Sequence, residues 1–157
     1  MKLKKAAGLL GFVTACLLAG RLGSLATESS RTTWYAALDK PALNPPDWVF
    51  APVWITLYIL MAAAGWRLWV CGGKGKAGSM LLFALQLGLN CLWSFLFFGL
   101  RDPLAAFADI LALEICLAAL IARAWRLDRI SAYLLAPYLL WVGFAAYLNA
   151  AIWWLNR

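Results

Sequence analysis

Gln86, Asn90, Trp93 and Phe97 recur three or four residues apart, the spacing that puts side chains on one face of a helix. Two further stripes have the same make-up: Phe50, Trp54, Tyr58 and Met61, then Tyr138, Trp141, Ala145 and Asn149. Each combines flat rings with an amide, a hydroxyl or both, or with a thioether. Such groups do not generate a nucleophile; they stack on a flat apolar body and offer it a few directed hydrogen bonds. The competing expectation is simple core packing, because aromatic stripes at helical spacing usually fill interiors. Contact with lipid is excluded for the stripe carrying Gln86 and Asn90, since an unpaired amide in hydrocarbon costs several kcal/mol.

Other chemistries are poorly supplied. The chain contains no histidine, which removes the commonest metal ligand, the commonest general base and the middle of a Ser-His-Asp triad. Cys16, Cys71, Cys91 and Cys116 are widely separated, with no CxxC pair, and are assigned no chemistry. No metal site and no required cofactor is expected. Asp109 and Glu114 lie inside an apolar segment, where an ionisable group is a functional candidate by default. Their spacing sets them about 140° apart on a helix, so they do not form a carboxylate pair; hydrogen-bonded packing groups are the plainer expectation.

The elements that must position these stripes follow from composition. Of 157 residues, 65% are hydrophobic and only 13% charged, against about 25% charged in soluble domains. The mean hydropathy of +0.78 points the same way. Apolar stretches near residues 6–26, 48–70, 78–100, 104–123 and 131–155 are each long enough to span a bilayer as a helix. The fold class expected is therefore all-α, a five-transmembrane-helix bundle forming a single domain over 1–157. The opening MKLKK and apolar run also resemble a secretory signal, but the run continues past Cys16 to Arg21, as a span does. The net charge of +7 does not indicate nucleic acid, because lysine and arginine cluster at the ends of apolar segments without interleaved aromatics.

Nine basic residues fall on the N-terminal side of a five-span arrangement (Lys2, Lys4, Lys5, Arg67, Lys74, Lys76, Arg123, Arg126, Arg129) and five on the other. The positive-inside rule then places the N-terminus in the cytoplasm if the membrane is a bacterial inner membrane. Most of the ten tryptophans lie near predicted helix ends, where interfacial anchoring suffices; Trp54, Trp93 and Trp141 lie deeper. Ala84 and Gly88 form a small-xxx-small face suited to close approach of another helix or a second protomer. The first loop, 27–47, is longer than a connection needs, and its prolines at 41, 45 and 46 restrict the backbone. An ordered cover over the aromatic faces is expected.

Three segments in order, WYxxLxKPxxNPPxWVF over 34–50, QLxLNxxWSxxFF over 86–98 and PYLLW over 137–141 with Leu148 and Asn149 downstream, resemble the tryptophan-rich sensory protein or translocator protein family, formerly the peripheral benzodiazepine receptors. The resemblance covers nearly the whole chain. It implies five helices around a pocket beneath the first loop, which binds porphyrins and synthetic isoquinoline or benzodiazepine ligands, often in a homodimer. It puts Tyr35, Pro45, Trp54, Asn90, Trp93, Trp141 and Ala145 at or near that pocket, with Trp54 and Trp141 matching tryptophans tied to porphyrin degradation. The family's sterol motif is not satisfied around Tyr147, because the next basic residue is Arg157.

The combined expectation is a membrane receptor or sensor for porphyrin-like tetrapyrroles and other flat hydrophobic molecules. A transporter of such molecules and a light- and oxygen-dependent porphyrin-degrading enzyme are the alternatives. The ligand's carboxylates could reach Lys40 or Arg31 at the mouth, although an ordinary solvated loop charge is the plainer reading of Lys40.

Overall fold

The computed structural model describes residues 2–73 and 75–157; Lys74, one of the basic residues counted above, lies outside them. It contains α1 (Lys2–Arg31), a short α2 (Trp34–Ala37), α3 (Asp47–Cys71), α4 (Lys76–Ser94), α5 (Pro103–Leu127) and α6 (Arg129–Leu155), with a widened π turn (Phe95–Gly99) closing α4. No strand occurs among the described residues. The five long helices, α4 taken with its π turn, are long and apolar enough to cross a membrane.

Helix ends are set by local chemistry. Asp102 accepts from the amides of Leu104 and Ala105, and Pro103 occupies the first turn of α5, where its missing N–H costs nothing. Asp128 caps α6 through the Ser131 amide and also holds the Arg67 guanidinium at 2.8 and 2.9 Å, tying α3 to the α5–α6 turn. That guanidinium holds the Asp128 carboxyl down at about 2. Pro137 lies two turns inside α6.

The first helix corrects the expected boundary at residue 26. It runs on to Arg31 because its polar side chains find partners: Thr27 Oγ1 donates to the Gly23 carbonyl, and Ser30 Oγ to the Phe98 carbonyl at 2.7 Å. The cover thus shrinks from 27–47 to 32–46 and contains α2.

Packed side by side, the spans close a ring in the order α1, α3, α6, α5, α4 and back to α1. Leu57, Met61, Ala64, Leu68, Leu113, Leu117, Leu120, Leu135 and Val142 fill its interior. The ends of α1, α4 and α6 and the starts of α3 and α5 share one face with the 32–46 segment, here termed the loop end. Trp48, Trp125 and Trp154 are exposed near helix ends, as interfacial anchors are.

Candidate ligand-binding cavity

At the loop end the helices stand apart around a cavity of about 620 Å³, within the ~300–1,000 Å³ usual for small-molecule sites. Phe50 and Trp54 from α3, Asn90 and Trp93 from α4, Phe97 from the π turn, and Trp141 and Ala145 from α6 contribute to its wall. Tyr58 lies at its floor and Tyr35 under the cover. Nine of the twelve residues expected at a pocket thus line one space.

The rings are held in a connected arrangement. Trp54 stacks on Tyr58 at 5.5 Å and meets Tyr138 edge-on; Trp93 stacks on Phe97 at 5.2 Å; Phe50 meets Trp141 edge-on. Amides fix their polar edges. Tyr58 donates to Asn90 Oδ1 at 2.6 Å, and Asn90 Nδ2 donates to the Tyr138 hydroxyl at 3.1 Å. Trp93 Nε1 donates to Asn149 Oδ1 at 2.9 Å, while Asn149 Nδ2 donates to the Pro103 carbonyl, joining α4, α6 and the start of α5. The π turn carries Phe97, which is 2% exposed, and its Phe98 carbonyl is taken by Ser30.

Three expected residues do not line the cavity. Tyr138 is fully buried one layer behind it, covered by Trp54 and hydrogen-bonded to Asn90. Gln86, one turn from Asn90 toward the N-terminal end, is fully buried in the packed part of the bundle, and its amide has no hydrogen-bond partner among the described residues. Pro45 acts at one remove: its carbonyl accepts from Asn44 Nδ2, and Asn44 Oδ1 accepts from the Tyr35 hydroxyl at 3.1 Å. Burial raises the Tyr35 phenol above its ordinary pKa, so it remains a donor. The cover is pinned to the end of α6 by paired bonds between Asn156 and the Asp39 backbone.

Lys40 also departs from expectation. Its ammonium donates to the Ala36 and Leu38 carbonyls and sits 4.8 Å from the centroid of the Tyr35 ring, stabilising the cover without reaching the cavity. Arg31 does line it. Asp109 is buried away from the cavity with Oδ2 unpartnered among the described residues, so the hydrogen-bonded packing role expected of it does not hold; Glu114 lies against Gly143 instead.

The wall contributed by α1 went unanticipated. Leu17, Gly20, Arg21, Ser24, Thr27, Glu28 and Arg31 form one face of that helix and complete the enclosure. Gly20 and Gly23 permit the close approach: a Cβ on Gly20 would meet the Tyr58 ring at 2.6 Å, and one on Gly23 the Ser94 hydroxyl at 2.9 Å. The signal was present in the sequence, as polar residues recurring every three or four positions from Arg21 to Arg31.

Five apolar spans around an aromatic, amide-lined chamber define an integral, multi-pass membrane protein. Residues 12–155 match the TspO/MBR family model, and the chain belongs to that family. It is 43% identical to the tryptophan-rich protein TspO of Archaeoglobus fulgidus, over 94% of this chain and 96% of that one. It is 41% identical to the translocator protein of Ovis aries, over 94% and 89%, and 36% identical to the tryptophan-rich sensory protein of Cereibacter sphaeroides, over 89% and 85%.

Proposed function

We propose that the protein is a membrane receptor or sensor that binds porphyrin-like tetrapyrroles, and other flat hydrophobic molecules, in the cavity beneath the 32–46 cover. The observation that carries this reading is the convergence of Trp54, Trp93 and Trp141 on one half-open cavity whose polar edge is set by Asn90 and Asn149. Stacking and dispersion against the indoles hold the macrocycle, and no axial metal ligand is needed for a metal-free ring. Arg31 is the cation at the mouth for an acid group.

Titration with protoporphyrin should quench tryptophan fluorescence saturably. Replacing both Trp54 and Trp141 with phenylalanine should weaken binding about tenfold, because each phenyl ring offers less stacking area than the indole it replaces. Absent quenching, or an unchanged midpoint in the double variant, would remove this assignment.

Light- and oxygen-dependent porphyrin degradation is a second reading, supported by the placing of Trp54 and Trp141 on the wall; product formation that survives singlet-oxygen scavengers and falls in either Trp→Phe variant tests it. A transport role is separated from a sensor by proteoliposome uptake beyond stoichiometric occupancy.

The homodimer reading is supported by Ala84 and Gly88, which face outward from α4, with open space around Gly88. The excess of basic residues on the N-terminal side supports a cytoplasmic N-terminus in a bacterial inner membrane.

A further inference from the structure

Arg21 occupies an unusual place for a cation. Its neighbour Gly20 packs on the ring of Tyr58, and Tyr58 lies about 16 Å along α3 from the loop end, close to the middle of that 25-residue span. A guanidinium rooted at mid-membrane depth is costly unless paired or turned to a cavity, and marks a site by default. Arg21 does both incompletely. It lines the cavity, and Nη1 makes both of its side-chain bonds, to Ser24 Oγ at 3.1 Å and to Glu28 Oε1 at 2.9 Å. Nε and Nη2, the edge whose two parallel donors match a carboxylate, have no partner among the described residues.

We propose that this open edge of Arg21 is the receptor for an acid group on the cavity's ligand, so that the site selects flat apolar acids over their neutral counterparts. The inference rests on the cavity being the binding site. It deepens that reading by giving the guest an orientation: rings toward Trp54 and Trp141, carboxylate toward α1. Glu28 holds Arg21 in place along α1 and competes with the incoming acid for the same cation. Arg31, the cation at the mouth, lies about 15 Å farther along the helix.

The test compares protoporphyrin IX, which carries two propionates, with its neutral dimethyl ester, titrated against full-length protein in nanodiscs. Wild type should prefer the diacid. Arg21→Gln should reduce the diacid-to-ester affinity ratio about tenfold, Arg21→Lys should reduce it less, and Glu28→Gln should raise it about threefold by removing the competing carboxylate. Equal binding of acid and ester by wild type, or an unchanged ratio in Arg21→Gln, would overturn the proposal while leaving the cavity reading intact. If neither compound binds wild type, both fail. Should Arg21→Gln not fold, Glu28→Gln decides, and a ratio that stays level or falls contradicts the role given to Arg21.

Discussion

Toward the N-terminal end, α3, α5 and α6 close on Leu68, Leu117, Leu120, Ala124 and Leu135, each almost wholly excluded from solvent. Toward the loop end α3 and α6 stand apart from α1 and α4 around about 620 Å³ of open volume lined by rings, amides and charges. The sequence accounts for the difference. Leucine and alanine interdigitate to interior density, whereas indoles and phenols held at fixed angles by Asn90 and Asn149 cannot collapse into the space between them. One end fixes the bundle so that the other can remain open.

The largest effect should come from the packed end. Leu120→Ala should cost about 3 kcal/mol by leaving a void, measured as lowered thermal stability in detergent, while protoporphyrin affinity changes by less than about threefold. An affinity loss as large as that of the tryptophan variants would break the division between the two ends. Asn90→Ala leaves the buried Tyr58 and Tyr138 hydroxyls without their partner and should cost about 2 kcal/mol. Unlike Leu120→Ala, it should also weaken ligand binding, because Trp54 rests on both tyrosines.

Asp128→Asn should cost about 1–2 kcal/mol at neutral pH by weakening the Arg67 pair and the α6 cap. The Asp128 carboxyl is held at about 2, below its ordinary 3.8, by Arg67. Its stabilisation is therefore present above about pH 4 and lost as pH falls through about 2. Acid denaturation curves should show that loss in wild type and not in the variant. The smallest effect belongs to Tyr35→Phe, about 0.5–1 kcal/mol from one lost hydrogen bond, with faster proteolysis within 32–46 as the more sensitive measurement.

Most of this division is legible in the residues. The three stripes reveal their faces because helical spacing is regular, and the prolines at 41, 45 and 46 announce an ordered cover. Depth within a face is harder to see. Gln86 and Asn90 share a stripe, yet one turn separates packed interior from cavity wall, and Tyr138 sits behind Trp54 because of how α3 and α6 meet. The α1 wall was hidden for a different reason: its polar residues straddle the point where apolarity fades, so a hydropathy window cuts the helix at 26 and assigns Thr27, Glu28 and Arg31 to a loop. The π turn over 95–99 leaves no periodic mark in the sequence, although Phe97 itself falls on the inward stripe.

The ring-lined chamber at the loop end is the proposed seat of the guest. Anomalous diffraction from crystals grown with zinc protoporphyrin tests it most directly, since the metal marks the macrocycle centre without reference to the fit of side chains. A single peak enclosed by Trp54, Trp93 and Trp141 is the predicted result. A peak on the outer, lipid-facing surface of the bundle, with that chamber empty, would contradict it.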